Sequence, residues 1–224
     1  MKFVLFEKLA ELATTELIML ICAVVIVVAI VVAIVVYNSK KAKTEGPINA
    51  QNRIHTMVIG ALCVSLSFML SYIKLFSMPL GGSITLCSML PITMYACWYG
   101  PKNGFIAALA YGVLQVIQGA WIVHWAQFIL DYFVAFSCFG LAAFFPKKLP
   151  LGVAVAGISR MLVSTISGIV FFASSAADAG YSSVVGYSLL YNASTIGIDT
   201  IICVVVALLP PMAKLFERLK PKAA

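Results

Sequence analysis

Charged side chains are scarce in this chain: Asp, Glu, Lys and Arg make up only 10% of its 224 residues, whereas 62% are hydrophobic. Soluble globular domains carry about a quarter charged residues, so the composition excludes a soluble protein and indicates one embedded in a bilayer. The net charge of +7 does not indicate nucleic-acid binding, because the basic residues cluster at the ends of apolar runs. That placement is the positive-inside pattern of a multispanning membrane protein.

The sequence also lacks the motifs of metal sites, disulfide frameworks and nucleotide binding. None of its six cysteines forms a CxxC pair, and all six lie within apolar runs, where a cysteine is most simply a small packing residue. No Walker motif occurs, so any ATP use must come from partner chains. We therefore predict no cofactor.

Apolar runs of about 20 residues are needed to cross the hydrocarbon core as a helix. Seven spans are predicted: Thr15–Tyr37, Thr56–Phe76, Ile84–Tyr99, Gly104–Ile122, Trp125–Phe145, Leu151–Ala173 and Val185–Pro210. Pro91 is expected to kink the third of them, because proline removes a helical hydrogen bond.

These spans predict an all-α integral membrane protein, with a six-helix transmembrane bundle preceded by one additional N-terminal helix. The expected divisions are residues 1–40 for the extracellular end and anchor helix, 41–55 for a cytoplasmic linker, 56–214 for the bundle and 215–224 for a basic tail. Placing the basic clusters in the cytoplasm puts the N-terminus outside and the C-terminus inside.

Two polar stripes interrupt the predicted bundle. His124, Gln127 and Asp131 follow i, i+3, i+7 spacing and so share one helix face. The second stripe runs down the last span and contains Tyr187, Ser188, Tyr191, Asn192, Thr195 and Asp199. A carboxylate at membrane depth costs roughly 2.5–3.5 kcal/mol on insertion scales, so it marks a partner or a water-filled cavity. Because both stripes begin at the outer side, we predict a pocket reached from outside.

The pocket chemistry favours a flat organic cation. An unpaired Asp131 supplies the charge, and surrounding aromatic rings add cation–π attraction. Gln127 and Asn192 carry the donors and acceptors that read the edge of an amino-substituted heterocycle. We expect Arg160 to lie near the cytoplasmic end of its span and to bind lipid headgroups.

Simpler interpretations remain open for several of these residues. His124 lies at a membrane boundary, where it would hydrogen-bond water or backbone. The aromatic residues Trp121, Trp125, Tyr187 and Tyr191 would also fit an interfacial belt. Asp199 would alternatively hydrogen-bond a neighbouring helix.

Two other classes of function fit the sequence less well. An intramembrane hydrolase needs a serine nucleophile and a histidine base, but Ser188 lacks the second glycine of a nucleophile elbow and nothing completes a triad with His124. A stand-alone secondary transporter of a small organic cation would show inverted repeats around a midplane site, and the two halves of this chain show no repeat.

Four ordered motifs resemble the thiamine-specific substrate-binding (S) components of energy-coupling-factor (ECF) transporters. The motifs are Ser77-Met-Pro-Leu-Gly-Gly-Ser-Ile-Thr-Leu86, Trp98-Tyr-Gly-Pro-Lys102, His124-Trp-Ala-Gln-Phe-Ile-Leu-Asp-Tyr132 and Tyr187-Ser-Leu-Leu-Tyr-Asn192. The resemblance spans Thr56 to Leu209 and leaves out the first span.

The resemblance implies a vitamin-binding subunit of the bacterial cell membrane, which works with a transmembrane coupling subunit and two cytoplasmic ATPases. It also implies roles for single residues. Asp131 would face the thiazolium of thiamine with Tyr132 beside it, and Trp121 would form an aromatic wall. Tyr187 and Asn192 would stack on and hydrogen-bond the aminopyrimidine, with Gly82 in a lid over the ligand.

The chain departs from the family pattern at four pocket positions. Asp131 stands where glutamate is usual, Ser164 where histidine is common, and Phe172 where tryptophan is common. The lid tryptophan of some members has no counterpart at Gly82. Each change removes a ring face or a polar group, so a thiamine-related heterocycle remains an alternative ligand. A small-residue patch at Gly60, Ala61 and Ser65 predicts either a coupling surface or packing within the bundle.

Overall fold

The computed structural model describes residues 50–221. The predicted anchor helix Thr15–Tyr37 and residues 41–49 of the predicted linker lie outside the described residues. The remainder of the linker begins the first described helix, which starts at Ala50.

The described chain is built almost entirely of helices. In order, the elements are α1 (Ala50–Ser71), β1 (Lys74–Ser77), β2 (Ser83–Thr85), α2 (Leu90–Gly119), α3 (Trp125–Phe144), α4 (Leu149–Phe171), α5 (Ala173–Asp178), α6 (Val184–Leu208) and α7 (Pro210–Leu219). Within this part of the chain, α1 from Arg53 onward, α3, α4 and α6 are each long and apolar enough to cross a membrane. The predicted helical membrane fold is confirmed.

Helix α2 covers most of two predicted spans and breaks between them. At Gly100 the backbone has φ 79° and ψ 177°, a conformation that glycine adopts without strain, and Pro101 follows. The kink expected at Pro91 is wrong, because this proline lies in the first helical turn. There the missing N–H has no helical acceptor to lose.

A short β-hairpin, which the sequence did not predict, joins α1 to α2. Strands β1 and β2 are antiparallel, with Lys74 opposite Thr85 and Ser77 opposite Ser83. Helix α1 ends at Ser71, so the predicted extension to Phe76 is wrong, as is the predicted helical start at Ile84. The hairpin lies over one end of the bundle and forms a cover for the cavity described below.

The core forms where α2, α3 and α4 pack together. Small residues allow the close approach: a Cβ on Gly140 would lie 2.7 Å from the ring of Phe105, and Gly112 faces the backbone carbonyl of Tyr132. Ile92, Phe139 and Val153 are fully buried in this core. The backbone of α3 is π-helical over Ile129–Val134, a feature that often accompanies functional sites.

Candidate ligand-binding pocket

A cavity of about 200 Å³ opens at the hairpin end of the bundle. Its walls come from the ends of α1 and α2, from the hairpin, and from the facing sides of α3, α4 and α6. Polar and aromatic groups converge on it from elements far apart in sequence, as in pockets that orient a small organic ligand.

Nine of the ten predicted site residues line this cavity. They are Gly82, Trp121, Gln127, Asp131, Tyr132, Phe172, Tyr187, Tyr191 and Asn192. The structure therefore brings together residues separated by more than a hundred positions in the sequence. Their roles in ligand binding stay predictions.

The two carboxylate oxygens of Asp131 have different surroundings. Its Oδ2 accepts a hydrogen bond of 2.7 Å from Nε2 of Gln127. Its Oδ1 is buried and makes no well-oriented hydrogen bond to a described residue, and the Ser167 hydroxyl and Arg160 also interact with this carboxylate. Since a buried carboxylate is costly unless its charge is compensated, Asp131 is the strongest candidate for a contact with a cationic ligand.

The side-chain amide of Gln127 hydrogen-bonds to neighbouring protein groups and so positions them. Both amide hydrogens are used: Nε2 donates to the Asp131 carboxylate and, at 3.1 Å, to the backbone carbonyl of Trp121. Its Oε1 accepts from the backbone N–H of Val123 at 3.2 Å. The hydroxyl of Tyr132 accepts from the Trp121 backbone N–H at 2.9 Å. These bonds fix Trp121 beside the carboxylate.

His124 is the predicted site residue that does not line the cavity. Its Nδ1 accepts a hydrogen bond from the backbone N–H of Ala126 and so caps the start of α3. Its ring stacks on Phe171, with centroids 5.2 Å apart and an interplanar angle of 18°. Trp125 also lies outside the lining and is 58% exposed, in keeping with an interfacial belt.

Arg160 lies near the middle of α4 and lines the cavity, so its expected placement among lipid headgroups is wrong. Its guanidinium carbon sits 4.3 Å from the centre of the Phe136 ring and 5.3 Å from that of Phe139. Its Nε is buried without a hydrogen-bond partner in the described part of the chain. Arg160 also interacts electrostatically with Asp131 and Asp199.

The wall formed by α6 depends on a glycine of α4. A Cβ on Gly168 would clash with the hydroxyl of Ser188, so only glycine allows the two helices this close. Ser188 donates to the Thr165 carbonyl at 2.8 Å, and Nδ2 of Asn192 donates to the Ser188 carbonyl at 2.9 Å. The Oδ1 of Asn192 makes no hydrogen bond to any described residue, which leaves it free to accept one from a ligand.

Two residues of α6 hold the hairpin over the cavity. The hydroxyl of Tyr191 accepts from the Gly82 backbone N–H at 2.9 Å and donates to the Pro79 carbonyl. One turn deeper than the cavity, Oδ1 of Asp199 accepts from the backbone N–H and the hydroxyl of Thr85, at 3.0 and 3.2 Å. Asp199 therefore bonds to the end of β2 and not to a neighbouring helix.

Replacing Tyr191 with Phe is expected to loosen this cover. The change removes two hydrogen bonds, each worth about 1 kcal/mol, so backbone amides of the hairpin turn should exchange roughly tenfold faster or more. Hydrogen–deuterium exchange over residues 78–83 measures this without any ligand. Tyr187→Phe is the matched control, because the Tyr187 hydroxyl makes no hydrogen bond within the described residues. Equal exchange in the two variants would contradict the role of Tyr191.

Several lining residues were not predicted from the sequence. The Ser71 hydroxyl donates to the Phe68 carbonyl at 2.6 Å, accepts from Nε2 of Gln115 at 2.9 Å and lies 3.0 Å from Oε1 of Gln118, which forms a polar network at the ends of α1 and α2. The spacing of Gln115 and Gln118, three residues apart in an apolar span, is the signal that would have found them. Arg160 was also missed. It lies one helical turn before Ser164, a pocket position named from the sequence, and this i, i+4 spacing is the signal that would have found it.

Fold and pocket together define a multi-pass helical membrane protein with a ligand cavity at one end, covered by a hairpin. Within that class, the chain belongs to the family described as thiamine transporter protein (Thia_YuaJ), which matches residues 57–217. The family resemblance drawn from the sequence motifs is thereby confirmed.

Known proteins agree with this assignment. The chain is 33% identical over 147 residues to the thiamine transporter ThiT of Bacillus subtilis (strain 168), a match that covers 58% of this chain and 75% of that protein. Its fold matches the structure of ThiT from Listeria monocytogenes with a TM-score of 0.60 and 20% identity, over 75% of this chain and 96% of that one. It also matches the S-component for biotin from an ECF-type ABC transporter, with a TM-score of 0.51 and 18% identity, over 80% and 97% of the respective chains.

Proposed function

We propose that this protein is the substrate-binding subunit that captures thiamine, or a closely related heterocycle, for ATP-driven uptake with an ECF module. That module would consist of a transmembrane coupling subunit and two cytoplasmic ATPases. The observation that carries the proposal is the Asp131 carboxylate, which lines the cavity at membrane depth among aromatic and amide side chains.

The charges at membrane depth favour a monocation. Helices α3, α4 and α6 contain three charged side chains, Asp131, Arg160 and Asp199, with a formal sum of −1. A net charge in a medium of low dielectric constant is unfavourable until a counter-charge enters. The thiazolium of thiamine carries one positive charge and would balance the sum over these three helices. Lys74 of β1 also lines the cavity, but its side chain is exposed to water.

The remaining lining groups suit the rings of such a ligand. Aromatic faces come from three parts of the chain: Trp121 in the α2–α3 link, Phe172 directly after α4, and Tyr187 in α6. The free Oδ1 of Asn192 would accept a hydrogen bond from the exocyclic amine of the pyrimidine. No serine chemistry is suggested here, because Ser188 is bonded to the Thr165 carbonyl while His124 caps α3.

The outer face of α1 is the surface we assign to the coupling subunit. Gly60 is not part of it, because a Cβ there would lie 2.8 Å from the Tyr95 hydroxyl inside the bundle. Ala61 and Ser65 face outward instead, beside the exposed side chains of Met57 and Met69. The pocket end would face outside and the opposite end, rich in lysine, would face the cytoplasm.

Calorimetric titration of the detergent-purified protein with thiamine, its pyrimidine moiety and its thiazolium moiety tests the proposal. We expect tight binding of thiamine. Asn192→Ala should lower the affinity for thiamine and for the pyrimidine fragment by roughly tenfold, the cost of one hydrogen bond in a desolvated site. The affinity for the thiazolium fragment should not change.

Asn103→Ala is the matched control, because Asn103 bonds to the Tyr99 carbonyl near the Gly100 break, away from the cavity. Failure of wild-type protein to bind all three compounds would refute the proposed ligand. Normal thiamine binding by Asn192→Ala would instead refute the role of α6 in reading the pyrimidine.

A further inference from the structure

Helix α7 begins where a membrane-spanning helix ends. Helix α6 has 25 residues, and such a helix is about 37 Å long, more than the roughly 30 Å thickness of the hydrocarbon core. Its last residues therefore reach the headgroup region. Leu209 is extended, with φ −63° and ψ 136°, and separates α6 from α7. Helix α7 consequently starts at the membrane surface, on the far side from the pocket.

One side of α7 is fastened to the bundle. Phe216 is only 3% exposed and stacks on Trp98, with centroids 5.5 Å apart and an interplanar angle of 21°. Met212, one turn earlier, packs against the same core cluster. The helix thus extends through residues that were expected to form a basic tail from 215 onward, and its orientation is fixed by this contact.

An apolar strip on α7 remains uncovered. Leu215 and Leu219, one turn apart, are 43% and 57% exposed. Neighbouring positions Lys214 and Arg218, also one turn apart, are exposed and form a basic edge along this strip. The single acid of α7, Glu217, lies opposite the apolar strip and three residues after Lys214.

An apolar strip bordered by basic residues at a bilayer surface is the pattern of an interfacial helix. We propose that α7 binds anionic phospholipid in the leaflet opposite the pocket, with Leu215 and Leu219 at the acyl boundary and Lys214 and Arg218 at the headgroup phosphates. The exposed Lys147 and Lys148 in the α3–α4 link lie at the same end of the bundle and add to the positive charge there.

The position of the strip is tested by lipid quenching of new tryptophans in the full chain, reconstituted in nanodiscs with brominated phosphatidylcholine. Leu219→Trp should add fluorescence that the brominated lipid quenches, relative to wild type. Glu217→Trp, the matched control two residues away, should add fluorescence that it does not quench. If neither added signal is quenched, the strip faces water and is available to a protein partner instead, and the proposal is overturned. Quenching of both would overturn the proposed orientation.

The lipid class is tested by native mass spectrometry, which measures how much phosphatidylglycerol stays bound to the protein. Each basic residue near an anionic surface contributes about 1 kcal/mol, so the double variant Lys214→Gln/Arg218→Gln should lose affinity by roughly thirtyfold. Glu217→Gln should retain the lipid at least as well as wild type. Equal retention by the double variant and wild type would overturn the assignment to anionic lipid.

Discussion

Replacing Asp131 with Asn is expected to reduce thiamine affinity by about a hundredfold or more while the protein stays folded. The substitution preserves shape, and the asparagine carbonyl still accepts the hydrogen bond from Gln127. What is lost is the charge at Oδ1, and truncating one partner of a buried charge pair costs roughly 2–5 kcal/mol. Titration calorimetry measures the affinity, and thermal unfolding in detergent checks the fold.

Two comparisons make this result specific to charge. Asp178→Asn is the matched control, because Asp178 is an exposed acid at the end of α5 and lies outside the cavity. The uncharged pyrimidine fragment should bind to Asp131→Asn nearly as well as to the wild-type protein, because this fragment carries no positive charge that interacts with the carboxylate. Unchanged thiamine affinity in Asp131→Asn would contradict a role for the charge of Asp131 in binding, and Asp131 would then be a structural acid.

The helices and most of the pocket were predictable because both depend on local patterns. Apolar run length decides where a helix can cross a bilayer, and regular spacing decides which side chains share a face. Those two rules are enough to predict that Asp131 and Asn192 lie in one pocket. The hairpin was missed because the apolar residues up to Phe76 were interpreted as a continuation of α1, although Pro79 and the Gly81-Gly82 pair between two short apolar runs are a turn signal.

Side-chain partners were less predictable than positions. Gln127 reads in the sequence as a ligand-binding amide, but its donors are taken by Asp131 and by the Trp121 backbone. His124 follows the same helical spacing as Asp131, yet it lies at the helix start, where capping α3 takes its ring out of the cavity lining. Helical periodicity predicts which face of a helix a residue lies on. Only tertiary packing shows which protein groups already occupy its hydrogen-bonding atoms.

Replacing Arg160 with Gln is expected to destabilise the protein. The environment of this residue differs most from the one predicted from the sequence. Arg160→Gln leaves Asp131 and Asp199 without a compensating cation and removes the contact of the guanidinium with Phe136. We expect the ligand-free protein to lose roughly 2 kcal/mol of stability, the size of a desolvated cation–π contact with its charge compensation. Thermal unfolding in detergent, with and without thiamine, is the measurement.

The response to thiamine separates two roles for this arginine. If Arg160 only balances charge, a bound cation can replace it, and thiamine should raise the unfolding temperature of Arg160→Gln by more than that of wild type. Arg160→Lys should lie between the two, because it keeps the charge but not the planar stacking. Lys148→Gln, an exposed basic residue at the far end of α4, should behave as wild type. Loss of the thiamine-induced shift in Arg160→Gln would mean that the guanidinium itself binds the ligand, and the site would then require a ligand with an acceptor group opposite its cationic ring.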